Sequence, residues 1–306
     1  MKIVYVARHN GQDNDDEGAI AFAFEKLGHT VQRIQDFNAD DPEFAASLQG
    51  DFCLFHNWDN YKSIQAIKQN MDVYCWFFDK FSFEDDYLKA REAYRKGWID
   101  NLTKLNLITL GFLTDGDQVA EDTTGKLRWL MQGVDERYIG MGIKHSDVPP
   151  ILFTGTPRHG SKREAHVTHL YNKWGNKFLN FGAGRPRDRL HGRALANLIA
   201  STQVVIAPIY PVTDRYWSNR VYLTCGFGGC LLHPNSVGLE RQYGPLDLIF
   251  YYDVEQCDEF IGSTLNNTSL QQMVKEQALI RKSKSHLYRH RVEEMLKVIK
   301  EYKSNG

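Results

Sequence analysis

A hydroxyl, an amide and a guanidinium side chain stand next to one another in the second half of the chain, at Ser218, Asn219 and Arg220. The residues that follow have the pattern of a helix, so the three would lie where a helix exposes backbone N–H groups without partners. Such N–H groups, together with an arginine, bind phosphate and stabilise charge on a departing diphosphate. A helix cap followed by a surface arginine is the alternative interpretation.

A second basic group follows the predicted strand at residues 151–154, in the loop that begins at Gly155. Its arginines are Arg158 and Arg163. Ligands of parallel α/β sheets bind in loops after the carboxyl ends of strands, so this loop is in the right place to contact a diphosphate. A solvated basic loop explains the same residues without a ligand.

Carboxylates after two strands are candidates for a general base. Asp15, Asp16 and Glu17 lie in the loop after the first predicted strand, and Asp79 ends another strand. A carboxylate beside an acceptor hydroxyl can take its proton during group transfer. We predict Asp16 as the base, then Asp79, with Asp15 as a further candidate. Acidic residues also favour helix starts, which explains Asp16 and Glu17 without catalysis.

Other side chains with possible chemistry are two histidines and two tryptophans. A lone histidine such as His56 or His191 is more often a hydrogen-bonded structural residue than a catalyst. Trp58 and Trp217 fall in predicted loops, where an indole can stack on a sugar or a base. No Asp-x-Asp motif follows a strand in the second half and no C-x-x-C pair occurs. We therefore predict no metal site and an activity that survives EDTA.

Strand and helix patterns alternate along the first half of the chain. A buried strand at residues 3–7 leads through a polar loop to a helix that Gly28 ends, and a second strand follows at residues 30–34. This order is the βαβ unit of a parallel sheet. Further strands are predicted at residues 51–55, 73–78, 107–113 and 127–131, with helical segments at residues 63–69 and 85–102.

A second alternation begins after Pro149 and Pro150. Strands are predicted at residues 151–154, 177–181, 203–207, 230–233 and 248–252, and helices at residues 163–173, 192–200, 218–225 and 254–262. A chain of 306 residues is long enough for two cores of ordinary size. We predict an α/β fold with two Rossmann-like, doubly wound domains facing each other across a cleft. Residues 1–145 form the first domain, residues 146–285 the second, and residues 286–306 a final helix that can pack back on the first.

Composition and charge are ordinary for a globular protein: 42% of the residues are hydrophobic, 25% are charged, and the formal net charge is -1. This argues against a disordered or membrane-spanning chain and against a global basic field for nucleic acid. Five cysteines without a paired motif predict reduced thiols and a cytoplasmic location. The first apolar run is too short for a signal peptide or a membrane helix.

Residues 216–240, YWSNRVYLTCGFGGCLLHPNSVGLE, resemble the donor-binding stretch of the CgeB-like (spore-maturation-type) glycosyltransferases, which belong to the two-domain GT-B group. The shared pattern is a Ser-Asn-Arg helix start, a Gly-rich turn, a strand, and a Gly-Leu-Glu loop that here contains Gly238 and Glu240. Upstream, the segment that begins at His191 resembles the family's helix before the penultimate donor-site strand. Gly155 with Arg163 resembles the loop after the first strand of the family's donor domain. Weaker similarities in the first half extend the resemblance to nearly the whole chain.

The resemblance implies a glycosyltransferase that moves a hexosyl or related sugar from a UDP- or GDP-sugar and uses no further cofactor. Residues 1–145 would be the acceptor-side domain, and residues 146–285 would bind the nucleotide sugar. The implied donor ligands are Gly155, Arg158, Arg163, His191, Ser218, Asn219, Arg220, Gly238 and Glu240. The acceptor stays open among a glycan, a protein and a modified DNA base, which the basic residues Arg185, Arg187, Arg189 and Arg193 could contact. The oligomeric state is open too.

One position departs from the pattern of the resembling family. Relatives carry a glutamate that can hold the donor ribose where this chain has Leu223. Glu240 or a nearby hydroxyl would then hold the ribose, and the stereochemistry of transfer stays open. The departure favours one alternative function, a non-catalytic clamp that binds nucleotide sugars, and a sugar-nucleotide epimerase is a further alternative with the same architecture.

Overall fold

The computed structural model describes residues 1–9, 15–80, 96–157, 159–182, 190–244 and 246–305. The chain divides into two compact units. Unit 1 consists of Met1–Gln132 and Tyr288–Gly306, and unit 2 consists of Gly133–Leu287. The first unit thus ends earlier in the chain than residue 145, and it includes the final helix of the chain.

Unit 1 is built on a parallel six-stranded sheet of order β2-β1-β3-β4-β5-β6. β1 lies between β2 and β3, with Val4 opposite both Gln32 and Cys53. The strands are β1 (Lys2–Ala7), β2 (Thr30–Gln35), β3 (Phe52–His56), β4 (Asp72–Phe77), β5 (Leu110–Leu113) and β6 (Leu127–Trp129). The helices between them are α1 (Asp16–Lys26), α2 (Pro42–Ser47), α3 (Tyr61–Lys68), α4 (residues 96–104) and α5 (Gly116–Ala120).

Unit 2 is built on a parallel five-stranded sheet of order β11-β10-β9-β7-β8. Its strands are β7 (Ile151–Thr154), β8 (Phe178–Phe181), β9 (Val204–Ile206), β10 (Leu231–Pro234) and β11 (Ile249–Tyr251). Its helices are α6 (Lys162–Trp174), α7 (Gly192–Ser201), α8 (Arg220–Gly226), α9 (Val237–Gln242), α10 (Val254–Leu265) and α11 (Thr268–Ser285). Two 3-10 turns are present at Glu136–Tyr138 and Gly175–Lys177.

The last helix, α12 (Tyr288–Asn305), belongs to unit 1 and packs against α1. Its apolar stripe, which includes Val292 and Met295, joins Ile20 and Phe24 of α1 in one buried cluster. A second cluster covers the other face of the sheet. Strands covered on both faces are continuous apolar runs, which is why β1 and β3 read as buried strands in the sequence.

The predicted fold class, two parallel Rossmann-like α/β sheets, is confirmed. The Gly-rich turn after α8 ends a helix, as predicted, with Gly228 at a φ of 78°. Three short helices, α2, α5 and α9, were not predicted, because six or fewer residues carry too little periodicity. Residues 85–95 of the predicted helix at 85–102 lie outside the described residues. No helix in the described ranges is long and apolar enough to cross a membrane.

Candidate functional site

Arg220 is the first residue of α8, and its guanidinium lies at the carboxyl end of β7. Its Nε donates a hydrogen bond to the carbonyl oxygen of Thr154, and its Nη1 lies 3.3 Å from the hydroxyl oxygen of Ser218. The guanidinium carbon is 5.5 Å from the centre of the Phe153 ring. These contacts hold the charge at the sheet edge where ligands of parallel α/β sheets bind.

Gly155 makes room for this guanidinium. Its φ is 141°, and a Cβ added to it would lie 2.2 Å from Nη2 of Arg220. Any larger residue would therefore displace the arginine, and the backbone conformation also disfavours side chains. Two residues that the sequence singled out separately are in contact in the structure.

The neighbouring candidates lie on the same loops. Asn219 precedes α8 and its side chain does not cap the helix, so the simple-cap interpretation is wrong for Asn219. The hydroxyl of Ser218 contacts Arg220. Arg163 is half-buried in the first turn of α6, which begins after β7 and is capped by Ser161. The predicted ligand Arg158 lies outside the described residues.

Three further predicted donor ligands lie at helix starts of unit 2. His191 is half-buried at the start of α7 and does not cap it with its side chain. Gly238 packs against the backbone of Asp214, whose carbonyl oxygen would be 1.7 Å from an added Cβ. This contact explains the glycine by close backbone approach. Glu240 is exposed on α9.

His233, which the sequence analysis missed, is the third residue of the buried strand β10. Its Nδ1 donates to the carbonyl oxygen of Pro234 at 2.7 Å. Burial lowers the pKa of His233 to about 4 despite that bond, and the charge of Arg220 acts in the same direction. A neutral imidazole thus lies near the arginine. The sequence feature that could have identified this residue is a single histidine within an otherwise apolar strand.

The predicted carboxylates of unit 1 lie where β1 and β4 end, and they make different contacts. Asp15 caps α1 by accepting a hydrogen bond from the backbone N–H of Gly18 at 2.8 Å. Asp16 accepts a hydrogen bond from the hydroxyl of Tyr288 at 2.7 Å. Asp79 is half-buried directly after β4. Asp15 therefore has a helix-capping role, which the sequence analysis did not predict for it.

Glu17 and His56 form an ion pair at the same edge of the sheet, with 3.1 Å between Oε1 and Nδ1. Burial alone would lower the pKa of His56, but the Glu17 carboxylate raises it above its ordinary value, with Asp16 and Asp79 adding to the effect. Burial would raise the pKa of Glu17, but the contact with His56 lowers it. The sequence analysis did not pair these residues, because one ends β3 and the other lies in the first turn of α1, far away in the chain.

The ion pair should make stability depend on pH. The depressed pKa of Glu17 contributes stability above about pH 4.5, and the raised pKa of His56 contributes stability below about pH 6.5. We expect His56→Gln to lower the free energy of unfolding by about 3 kcal/mol within this window and by less at pH 9, because it breaks a buried ion pair. Chemical denaturation at pH 5.5 and pH 9 measures this.

The matched control for this variant is His145→Gln, since His145 is an exposed histidine. It should change stability little at either pH. An equal loss for His56→Gln at both pH values would mean that packing, and not charge, accounts for the effect.

Neither tryptophan is placed to stack on a ligand, so that alternative is wrong. Trp217 is fully buried, and its indole N–H donates to the hydroxyl of Tyr222 at 2.8 Å. Trp58 is buried, and its indole N–H donates to Asp40 at 2.9 Å. The sequence predicted loops correctly here but could not show that tertiary packing covers them. In the described ranges no three His, Cys, Asp or Glu side chains are grouped to hold a metal.

Residues 158–297 match the family model described as glycosyl transferase-like. The matched range covers most of unit 2 and continues into residues 288–297 of α12. The matched range includes Arg163, His191, Arg220 and Glu240, and it confirms the predicted transferase. No curated protein sequence is significantly similar to the chain.

The fold of the whole chain is similar to that of solved GT-B glycosyltransferases. A sucrose-phosphate synthase from Thermosynechococcus elongatus has a TM-score of 0.65 at 10% identity, covering 100% of both chains. HepE of Anabaena, solved with UDP and glucose, has a TM-score of 0.66 at 9% identity, covering 98% of this chain and 100% of its own. T4 phage BGT, solved with its UDP-glucose substrate, has a TM-score of 0.62 at 12% identity, covering 99% of each chain. At these identities the similarity shows the GT-B fold.

Proposed function

We propose that this chain transfers a hexosyl or related sugar from a UDP-sugar bound by unit 2 to an acceptor hydroxyl activated by a carboxylate of unit 1. The observation that carries the proposal is the contact of Arg220 with Gly155 at the carboxyl edge of the unit 2 sheet. UDP is the preferred donor nucleotide because HepE and T4 phage BGT, which share the fold, were solved with UDP or UDP-glucose.

Arg220 supplies the charge that a departing diphosphate needs. A guanidinium has five N–H donors, so it can bond a protein acceptor such as the Thr154 carbonyl oxygen and a phosphate at the same time. The missing side chain at Gly155 leaves the space that this guanidinium occupies beside the backbone. Arg163, in the first turn of α6, is the second proposed phosphate ligand. These groups can neutralise the leaving group without a cation, so we propose a metal-independent reaction.

Activation of the acceptor falls to the carboxylates of unit 1. We retain Asp16 and Asp79 as proposed bases, while the capping bond of Asp15 makes it the weakest of the three candidates. The pair of Glu17 and His56 adds a fixed charge distribution beside them, since both Asp16 and Asp79 act on the pKa of His56. A base orients and deprotonates the acceptor hydroxyl as the anomeric carbon gains positive character.

The subgroup of the glycosyltransferase and its further donor contacts are proposed from the sequence resemblance. We propose the CgeB-like subgroup, with His191, Ser218, Asn219, Gly238 and Glu240 as further donor contacts. The acceptors to be tested are a glycan, a protein and a modified DNA base. Three of the basic residues that could contact DNA, Arg185, Arg187 and Arg189, lie outside the described residues. All five cysteines are buried with free thiols, which supports the proposed cytoplasmic location.

A thermal-shift screen of the full chain against UDP, GDP, ADP, CMP and their sugars tests this function. UDP and a UDP-sugar should raise the melting temperature, because a ligand that binds the folded state stabilises it. The chain should then hydrolyse the stabilising UDP-sugar slowly, transferring the sugar to water and releasing UDP. This hydrolysis should occur with and without EDTA. If none of these nucleotides or nucleotide sugars raises the melting temperature, the proposal is contradicted.

The same assay separates the alternative functions. Leu223 favours a non-catalytic clamp, which would bind the donor but release no UDP. An epimerase would interconvert the donor sugar without any acceptor. If EDTA abolishes UDP release and added metal restores it, the proposed metal-independent route is wrong.

A further inference from the structure

We propose that Tyr288 is a positioning residue that keeps the Asp16 carboxylate ionised and fixed in orientation. The proposal rests on the proposed transferase function, in which Asp16 is a candidate base. Tyr288 is the first residue of α12, so it comes from the end of the chain remote in sequence from Asp16. Its hydroxyl donates to Oδ1 of Asp16 at 2.7 Å.

The ring of Tyr288 is held firmly in the core of unit 1. Tyr288 is 2% exposed, and its ring stacks on Phe78 with centroids 6.2 Å apart and planes at 19°. It also meets Trp76 edge-on at 6.0 Å. Near the same end of α12, Nε of Arg291 donates to the carbonyl oxygen of Gln132 at 3.1 Å. The ring and the helix start are thus both anchored, which restricts the position of the hydroxyl that donates to Asp16.

The hydrogen bond also favours a charged Asp16. A bond donated to a carboxylate favours its ionised form. Burial and the neighbouring Asp16 raise the pKa of the Tyr288 hydroxyl well above its ordinary value, so it stays a donor through the working pH range. A base must be ionised to accept a proton, so this donor extends the pH range of activity downward.

Other titratable groups face the same carboxylate from several elements. They are the N-cap residue Asp15, Glu17 of α1, Tyr5 of β1, His56 of β3 and Asp79 after β4. The carboxylates among them disfavour ionisation of Asp16, and protonated His56 favours it. A donor aimed at Asp16 is therefore most useful here, because the three neighbouring carboxylates disfavour a further negative charge on Asp16.

Tyr5 provides a matched control within this cluster. Its hydroxyl is fully buried near the same carboxylates, yet it has no hydrogen-bond partner among the residues that the structure describes. Both Tyr5→Phe and Tyr288→Phe remove one buried hydroxyl and keep the ring. Only the second variant removes a bond to Asp16.

The test compares the pH profiles of kcat and the donor KM for the two variants. Tyr288→Phe should lower kcat about 10-fold at pH 7 with the donor KM unchanged, and should move the acid limb of kcat up by about one pH unit. Tyr5→Phe should leave both profiles unchanged. A Tyr288→Phe profile that coincides with that of the wild type would overturn the proposal.

Two further measurements keep the result independent of folding and of the transferase assay. A carbon-13 NMR titration of the Asp16 carboxyl, assigned with Asp16→Asn, should show a higher pKa in Tyr288→Phe without any substrate; an unchanged pKa would overturn the proposal even if no donor is found. In a double-mutant cycle, Tyr288→Phe should cost no further activity once Asp16 is Asn. If the wild-type chain transfers no sugar, the proposed function fails while the titration still decides the role of Tyr288.

Discussion

Replacing Asp16 or Asp79 by asparagine is expected to slow sugar transfer by a factor of about 10² or more in at least one of the two variants, the usual scale for a lost general base. Donor affinity should stay close to that of the wild type, because the proposed phosphate ligands belong to unit 2. Asparagine keeps the size of the side chain and removes its charge and basicity. Single-turnover transfer rates at saturating donor, with donor dissociation constants from calorimetry, separate the two effects.

The control for these variants is Asp36→Asn. Asp36 follows β2 in the same sheet and its carboxylate pairs with the exposed Arg8, so its loss should not alter transfer. Wild-type rates for both Asp16→Asn and Asp79→Asn would mean that no carboxylate of these loops acts as base, as in a retaining route. The catalytic assignment in unit 1 would then be wrong.

Replacing Arg220 by alanine is expected to weaken donor binding by about 1.5–3 kcal/mol, which is about 10- to 150-fold in the dissociation constant. The variant loses a charge-assisted hydrogen bond to phosphate. Arg220→Lys should recover part of the loss, since an ammonium keeps the charge but lacks the planar fork of N–H donors. Calorimetric titration with UDP and a UDP-sugar measures both variants.

Gly155→Ala tests the same site without removing the charge. The added Cβ would collide with Nη2 of Arg220, so donor affinity should fall in the same direction. Arg241→Ala is the control, because Arg241 is an exposed arginine of α9 and its loss should leave donor affinity unchanged. Unchanged donor affinity and normal activity in Arg220→Ala would show that this arginine does not bind the diphosphate.

Local patterns in the sequence were enough to predict the two parallel sheets and several residues at their carboxyl edges. Apolar runs such as residues 3–7 and 203–207 read as buried strands because both faces of each sheet are covered. The alternation of strands and helices then placed Arg220 and Asp16 at helix starts that follow strands, where the structure has them. These features depend on neighbours within a few residues, which a sequence displays directly.

Contacts between distant parts of the chain were decided only by the tertiary structure. The side chain that fills the space beside Gly155 comes from Arg220, and the hydroxyl that meets Asp16 comes from Tyr288. The burial of Trp217, which rules out stacking on a ligand, likewise depends on residues packed over it. Local propensity and periodicity carry no information about which loops and helix ends meet, because that depends on how the complete set of apolar faces packs.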